Sequence, residues 1–385
     1  MKIVISPDSF KGSNSSIRVA TLIEQGVRKV YPDAEIVKIP IADGGEGTVE
    51  AAVLGGNGQY RELEVTGPLG EKLTARYGIL PGQGTKEGKS AVIEMAAASG
   101  LPLVAEDKRN PLFTTTYGTG ELIRAALDEG CREILIGIGG SATNDAGVGM
   151  AQALGWSFKD KNGKEEGFGG KELSKIAVID NSKVDSRLEQ CRVTVACDVT
   201  NPLFGKTGAA HVYGPQKGAT PEIVEELDQN LRLFAKIVES QLGRDISQEP
   251  GSGAAGGLGA GLMIFCGAEL KSGIDAMLDI VRFEDHLEST DLVITGEGAI
   301  DGQTTYGKVP VGIAKRTQAY NVPVLAIVGD IGTGAEAVYE HGIHGIMSTV
   351  NRAMPLAEAM AQSAPLLEDA AERVMRIIRI GQTLG

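Results

Sequence analysis

The chain has 385 residues, and 37 lysines and arginines against 50 aspartates and glutamates give it a formal net charge of −13. This length suits two domains or one large one, each able to bury a core. An acidic chain without a run of five basic residues is repelled by nucleic acid and by anionic membranes, so we expect neither as a partner. The chain contains 53 glycines, about twice the ordinary share of ~7%. Such an excess indicates that many positions need the backbone freedom or the small size of glycine.

Short runs rich in Val and Ile, each followed by a turn and a helical pattern, recur along the chain. The pairs of strand and helix are 3–6 with 15–30, 132–138 with 142–154, and 292–295 with 310–319. Further strands at 322–328 and 345–350 lead to a C-terminal helix at 356–378. This alternation predicts buried parallel strands joined by crossover helices, which is an α/β fold.

A different pattern lies between these pairs. The apolar runs 60–65, 73–79 and 90–94 follow one another with no room for helices, so we expect antiparallel or mixed strands there. The first and last segments share one rhythm and are predicted to form a single sheet. We therefore expect a discontinuous domain with a flavodoxin-like parallel sheet, residues 1–56 plus 286–385, and an inserted α/β domain with a mixed sheet, residues 57–285.

Cysteine usage and the N-terminus indicate a cytoplasmic protein. The four cysteines form no CxxC pair and lie in or beside apolar stretches, which favours reduced core residues over a metal site: Cys131, Cys191, Cys197 and Cys266. The first apolar run is too short for a signal peptide. The uncharged stretch 250–268 contains seven glycines and is not expected to span a membrane.

Glycine clusters at the ends of predicted strands indicate an anion site, because glycine lets backbone N–H groups approach a phosphate. Residues 82–90 resemble a P-loop, but one residue too many separates Gly82 from Gly88 and a strand follows, so we expect a hairpin turn. The dinucleotide pattern GxGxx[GA] occurs at 251–256, where no strand precedes it, and at 137–142, where a strand does. The polar neighbours of the second match, residues 141–145, suit triphosphate and magnesium better than nicotinamide.

Carboxylates follow four predicted strands: Asp8, Asp43, Asp198 and Glu297. Ligands of open α/β sheets bind outside the carboxyl ends of the strands, so these side chains are expected to converge on one crevice. Capping of the next helix is the usual role of any single one; for the set, a hard-cation or acid/base site is at least as common. Three lysines lie beside glycine in loops and are candidates for binding phosphate or carboxylate: Lys11, Lys217 and Lys308.

Six motifs, in order, strongly resemble the bacterial type-1 glycerate kinases. They are 6–13 (SPDSFKGS), 43–48 (DGGEGT), 139–145 (GGSATND), 197–203 (CDVTNPL), 214–219 (GPQKGA) and 295–298 (TGEG). Small departures at Asn14 and Ala146 remove no charged group. The resemblance implies ATP-dependent phosphorylation of glycerate, usually at the 2-position, on two different α/β domains.

Phosphoryl transfer needs donors around the phosphates, a magnesium ion, a base and cations, and we assign residues on that basis. The nucleotide is expected to contact Gly139, Gly140, Ser141, Thr143, Asn144, Gly296 and Gly298. The substrate-binding candidates are Ser13 and Lys217, the metal candidates Asp43 and Glu46, and the catalytic candidates Asp198 as base with Lys11 and Lys308. We expect ATP and Mg²⁺ as cofactors, a cleft between the domains, and a monomer or homodimer.

Three alternatives stay open from the residues alone. The first is a kinase that forms 3-phosphoglycerate, since the residues alone do not indicate which hydroxyl is phosphorylated. An NAD-dependent hydroxy-acid dehydrogenase would use residues 137–142, although no catalytic His-Asp context supports it. A non-catalytic anion-binding regulator would bind glycerate or phosphate without turning over ATP.

Overall fold

The computed structural model describes residues 1–42, 44–45, 47–82 and 88–384. Its contacts divide the chain into two compact units. Unit 1 comprises Met1–Asp43, Glu50–Asn57 and Met277–Gly385, and unit 2 comprises Gly44–Val49 and Gly58–Ala276. None of the described helices is both long and apolar enough to cross a membrane.

The described strands, in chain order, are β1 (Lys2–Ile5), β2 (Glu35–Lys38), β3 (Gln59–Thr66), β4 (Lys72–Leu80), β5 (Lys89–Glu94), β6 (Cys131–Gly137), β7 (Ser157–Lys159), β8 (Val178–Asp180), β9 (Arg192–Ala196), β10 (Glu269–Lys271), β11 (Leu292–Ile300), β12 (Val324–Ile331) and β13 (Gly345–Ser348). The helices are α1 (Ser16–Arg28), α2 (Thr48–Gly55), α3 (Ala96–Ser99), α4 (Tyr117–Asp128), α5 (Val148–Ala153), α6 (Ala209–Tyr213), α7 (Pro221–Leu242), α8 (Ala254–Phe265), α9 (Gly273–Ile280), α10 (Val309–Gln318), α11 (Leu356–Ala361) and α12 (Ser363–Leu384).

Unit 1 is built on a five-stranded parallel sheet in the order β2-β1-β11-β12-β13. Counted within the sheet this is 2-1-3-4-5, the flavodoxin-like order, so the predicted sheet is confirmed. Helix α1 packs against α12, where Gly26 lets the backbone of Glu368 approach closely. The apolar face of α1, including Val19, Ile23 and Val27, is fully buried in the core beneath.

Unit 2 contains a six-stranded mixed sheet in the order β10-β9-β6-β5-β4-β3. Strands β3, β4 and β5 pair antiparallel, as expected from the absence of helices between them, whereas β5, β6, β9 and β10 are parallel. The predicted hairpin turn between β4 and β5 falls mostly on residues 83–87, which lie outside the described residues. A short antiparallel pair, β7 with β8, completes the described strands of this unit.

Three expected elements differ from the structure. The helix expected over 142–154 is only α5, because Ala146 and Gly147 have positive φ angles of 51° and 74° that interrupt a helix. The C-terminal helix is two helices, which break at Gln362. Strand β11 continues past its predicted end to Ile300, since it pairs with the long strand β12, so Glu297 lies within the strand.

Candidate functional site

The first cluster of polar groups lies at the point in unit 1 where the strand order reverses. Strands β1 and β11 are neighbours there; Asp8 follows β1, and Glu297 lies in the last part of β11. The backbone N–H of Asp8 donates to the carbonyl of Gly296 at 2.8 Å. Ligands of open α/β sheets bind at such a switch point, at the carboxyl ends of the strands. The two carboxylates therefore occupy the expected ligand-binding edge of unit 1.

Glu297 is buried, with 6% of its surface exposed. Thr304 Oγ1 donates to its Oε1 at 2.8 Å, and Lys308 Nζ lies 3.8 Å from its Oε2. Burial raises the pKa of Glu297 to about 6, with Asp8 and Asp301 adding to the rise and with Thr304 and Lys308 opposing it. A carboxyl group with this pKa exchanges protons close to neutral pH.

The chain after β11 forms a 3₁₀ turn, Gly302–Tyr306, that fixes the partners of Glu297. Asp301 caps this turn by accepting from Gln303 N at 2.9 Å, and its own N–H donates to Thr304 Oγ1 at 3.2 Å. Lys308 Nζ lies 3.6 Å from Asp301 Oδ1, between the two carboxylates. We refer to Glu297, Asp301, Thr304 and Lys308 as the β11 site. Sequence reasoning missed Asp301 and Thr304, although the spacing of a capping residue and a hydroxyl three positions later was a usable signal.

The other predicted residues of unit 1 lie around this edge. Lys11 is exposed, and Ser13 Oγ donates to the carbonyl of Phe10 at 3.0 Å within a tight turn. A side chain at Gly298 would find ordinary contacts with Phe10 and with the backbone N of Lys11, at 3.7 and 3.8 Å. Gly296 instead lies against the carbonyl of Ile327, where a Cβ would approach to 2.2 Å. Gly298 is thus adjacent to the Lys11 loop, while Gly296 is required by the packing of β12.

Glycines at the end of β6 in unit 2 accommodate the protein's own backbone. A Cβ at Gly137 would lie 2.5 Å from the carbonyl of Gly44, and one at Gly139 would lie 3.1 Å from Gly45. Gly44 in turn packs against Ala196 at the end of β9. The segment 44–45 therefore lies across the carboxyl ends of β6 and β9. Close chain approach explains the glycine pattern at 137–139 without a dinucleotide.

Lys217 lies buried beside this turn, with 2% of its surface exposed. Its Nζ donates to Ser141 Oγ and to the carbonyl of Thr143, both at 2.7 Å. Burial lowers the pKa of Lys217 to about 7, and the negative charge of Asp145 opposes this shift. We call residues 139–147 the β6 turn. Lys217 stabilises this turn through its two hydrogen bonds. Gly140, also in this turn, is exposed and has φ of 74°.

Asp145 holds the other end of the β6 turn. Its carboxylate accepts hydrogen bonds from Thr116 N and Oγ1 at 2.8 and 2.9 Å, from Gly147 N at 3.1 Å and from Gly149 N at 3.3 Å. Burial raises its pKa, while these hydrogen bonds act in the opposite direction. Thr116 was missed from the sequence, since nothing local relates it to a residue 29 positions away.

Two side chains of the β6 turn are buried without hydrogen bonds. Thr143 Oγ1 and both amide atoms of Asn144 have no partner among the described residues. Such groups are rare in folded proteins and call for water, an ion or a ligand. The glycine-rich start of α8 packs behind them, with a Cβ at Gly256 only 1.9 Å from the carbonyl of Thr143. The second dinucleotide-like match, at 251–256, is thereby explained by packing.

Asp198 follows β9 and is exposed. Its Oδ1 accepts from Gly273 N at 2.9 Å, at the first residue of α9, which is the geometry of a helix cap. The metal candidates Asp43 and Glu46 lie outside the described residues. Within the described part of the chain, no group of three or more His, Cys, Asp or Glu side chains is arranged to hold a metal ion.

A flavodoxin-like sheet with a buried carboxylate and a partly exposed lysine at its switch point is typical of α/β proteins that bind a small molecule at that edge of the sheet. Comparison with known proteins identifies the family within this class. The model of the Glycerate kinase family matches residues 3–379 of the chain.

Full-length relatives agree with that match. The chain is 53% identical over 372 residues to a glycerate kinase of Halalkalibacterium halodurans, covering 97% of both proteins. It is 49% identical over 381 residues to the glycerate 2-kinase of Escherichia coli, covering 99% of each. A crystal structure of a candidate glycerate kinase 2 from Salmonella typhimurium superimposes with a TM-score of 0.88 at 49% identity, covering 100% of this chain and 99% of that one. This chain therefore belongs to the glycerate kinase family, and it is a kinase.

Proposed function

We propose that this kinase transfers the γ-phosphoryl group of ATP to D-glycerate and releases 2-phosphoglycerate and ADP. The observation that carries the proposal is identity of about half the residues, over the full chain length, to relatives named glycerate kinase or glycerate 2-kinase. Family membership disfavours the dehydrogenase alternative, and so does the position of Gly44 in the space that a dinucleotide would need beside Gly137.

Each unit offers one part of the chemistry. In unit 1, Lys308 and the exposed Lys11 supply cations for the carboxylate of glycerate and for the transferring phosphoryl group. In unit 2, the unpartnered groups of Thr143 and Asn144 are suited to a phosphate or to the waters around it. That the two sets meet around one substrate, in a cleft between the domains, stays a prediction.

Magnesium would accompany the nucleotide and neutralise charge on its phosphates. Mg²⁺ prefers oxygen ligands and needs only one or two carboxylates beside the phosphate oxygens. Asp43 and Glu46 have the right chemistry, and we propose them as its ligands. In support of this proposal, Gly44 and Gly45 lie against the ends of β6 and β9.

Lys217, a candidate for binding glycerate, is buried and already hydrogen-bonded. With its ammonium buried and two of its protons donated to the β6 turn, Lys217 can contact glycerate only if that turn opens. Otherwise it acts by holding the turn in place. A cytoplasmic location and a monomeric or homodimeric state stay predictions. Asp198 stays the base predicted from the sequence, with Glu297 as the rival that the structure offers.

The proposal is tested by ADP release from the purified chain with MgATP and D-glycerate. We expect turnover that depends on glycerate. ATP hydrolysis that is indifferent to glycerate, or none at all, from chain shown by circular dichroism to be folded would refute it. Tight glycerate binding without turnover would instead support the anion-binding regulator.

A further inference from the structure

Glu297 and Lys308 lie close together without a direct hydrogen bond between their side chains. The distance from Lys308 Nζ to Glu297 Oε2 is 3.8 Å, longer than a hydrogen bond. The Glu297 side chain is 8% exposed, whereas that of Lys308 is 40% exposed. Lys308 is also held at 3.6 Å by Asp301, so it is positioned without being neutralised by a single tight partner. A small polar group can therefore bridge the ammonium and Oε2.

The hydrogen bonds of Thr304 decide which oxygen of Glu297 is available. Thr304 Oγ1 accepts from Asp301 N, so its single proton is directed to Glu297 Oε1. Oε1 therefore already accepts one hydrogen bond. Oε2 faces Lys308 and is the oxygen left to accept a further proton.

The charges around Glu297 suit proton transfer near neutral pH. Burial and the carboxylates of Asp8 and Asp301 raise its pKa to about 6, although Lys308 and Thr304 favour the ionised form. At pH 7 to 8 most of the group is ionised, yet it is more basic than a solvated glutamate. A base whose pKa lies just below the working pH is effective in accepting a hydroxyl proton.

We infer that Glu297 and Lys308 together recognise a 2-hydroxycarboxylate, with Lys308 binding the carboxylate and Glu297 Oε2 accepting the proton of the hydroxyl on the adjacent carbon. This rests on the proposed function and specifies its substrate class and its base. The 2-oxygen forms a bond to the γ-phosphorus as its proton passes to Oε2. The bond from that phosphorus to the β-bridging oxygen breaks, and ADP leaves with the electron pair. A 3-hydroxyl lies one carbon further from the carboxylate, so we expect it to be placed less well against Oε2 when the carboxylate is on Lys308.

Two isomeric substrates test the recognition. D-Lactate carries only the 2-hydroxyl and 3-hydroxypropionate only the 3-hydroxyl, at equal size and charge. With MgATP we expect kcat/KM for D-lactate to exceed that for 3-hydroxypropionate by tenfold or more. Equal rates, or faster turnover of 3-hydroxypropionate, would overturn the inference.

Glu297→Gln tests the base, because it keeps the side-chain shape and an acceptor for Thr304 but cannot take up a proton. We expect kcat with D-glycerate to fall by a hundredfold or more, while the KM for ATP is unchanged. Wild-type kcat/KM should fall on acidification with a midpoint near pH 6, and the residual rate of the variant should lack this limb. The matched control is Glu288→Gln. Glu288 is exposed and lies just before the start of β11, so this variant should behave as wild type.

Other results would overturn the assignment. A loss under tenfold in Glu297→Gln would show that another group accepts the proton. A rise in the Mg²⁺ concentration needed for half-maximal rate would make Glu297 a metal ligand. Both outcomes are read only after the wild-type chain has been shown to phosphorylate glycerate. A wild-type chain that is folded but inactive would refute the proposed function, and the inference with it.

Discussion

The β11 site of unit 1 and the β6 turn of unit 2 contain the same kinds of residue at the carboxyl end of a strand: glycines, a lysine and a buried carboxylate. Their lysines differ most. The Lys308 side chain is 40% exposed and makes only long contacts to two carboxylates, whereas Lys217 is 2% exposed and donates two hydrogen bonds of 2.7 Å. Asp145 accepts four hydrogen bonds, while Glu297 keeps one oxygen available.

The difference shows that composition at a strand end does not by itself identify reactive groups. A charge whose hydrogen bonds are all made within the protein rigidifies its surroundings. A charge with an unused acceptor and a nearby cation is able to act on a ligand. We therefore regard the β6 turn as a rigid support and the β11 site as the reactive part, and four variants with two glycine controls test this distinction.

The largest effect is expected from Gly256→Ala in unit 2. The new Cβ would lie 1.9 Å from the carbonyl of Thr143, at a residue whose φ is 69°. Overpacking and left-handed backbone together should cost about 3 to 5 kcal/mol of unfolding free energy. Trp156, the single tryptophan of the chain, lies in unit 2, so its fluorescence during urea unfolding reports this loss.

Two alanine variants are controls for Gly256→Ala. Gly267 has a similar φ of 63° and open space, so Gly267→Ala should show only the backbone cost of about 1 to 2 kcal/mol. Gly298→Ala lies in unit 1 beside the β11 site, so its unfolding is followed by circular dichroism. It should cost less than ~1 kcal/mol, because the neighbours of the new Cβ lie at ordinary contact distance. If all three variants unfold at the same urea concentration, the rigid packing of the β6 turn is refuted.

Asp145→Asn should also destabilise unit 2. The amide offers one oxygen where the carboxylate offered two, so at least one of the donors from Thr116, Gly147 and Gly149 loses its acceptor. Leaving a buried donor unsatisfied costs about 1 to 3 kcal/mol. The Trp156 transition should move to lower urea by that amount. An unchanged or higher midpoint would mean that burial of the Asp145 charge outweighs its hydrogen bonds.

Glu297→Gln should raise the free energy of unfolding, in contrast to Asp145→Asn, which should lower it. Folding raises the pKa of Glu297 from 4.5 to about 6, so the folded chain binds this proton more tightly and stability falls as pH rises between those values. Above pH 6 the wild type is less stable by about 2 kcal/mol than a chain with a neutral group there. The variant should thus unfold at higher urea at pH 8, with the difference vanishing towards pH 4. Circular dichroism follows both units; destabilisation at pH 8 would contradict the raised pKa.

The smallest effect is expected from Asp198→Asn. An asparagine oxygen can still accept from Gly273 N, so unfolding free energy should change by less than ~1 kcal/mol. With Glu297 as the base, kcat on D-glycerate should fall less than tenfold. A hundredfold loss at unchanged ATP affinity would restore Asp198 as the base, as the sequence alone suggested, and would remove Glu297 from that role.

Local patterns predicted much of the fold. The alternation of Val- and Ile-rich runs with helices gave the parallel sheet of unit 1, and the helix-free stretch before Glu94 gave the antiparallel strands of unit 2. The irregular β6 turn was not foreseen, because the left-handed conformation of Ala146 is imposed by tertiary contacts, including its hydrogen bond to Gly256 O.

The site was predicted only as a set of residue types. The end of a predicted strand identified Glu297 as a candidate, and a neighbouring glycine in a loop identified Lys308. Neither their mutual distance nor the burial of Glu297 can be read from residues eleven positions apart. Lys217 and Lys308 looked alike in sequence, since each lies beside glycine in a loop. Only long-range packing makes one fully buried and leaves the other partly exposed.

The central claim is that the β11 site directs phosphorylation to the hydroxyl next to the carboxylate. The most direct test is to incubate the product formed from D-glycerate and MgATP with enolase alone and to measure phosphoenolpyruvate. We predict conversion without any other enzyme, because the product is the 2-phosphate. If phosphoenolpyruvate forms only after phosphoglycerate mutase is added, the product is the 3-phosphate and the assignment of the β11 site is wrong.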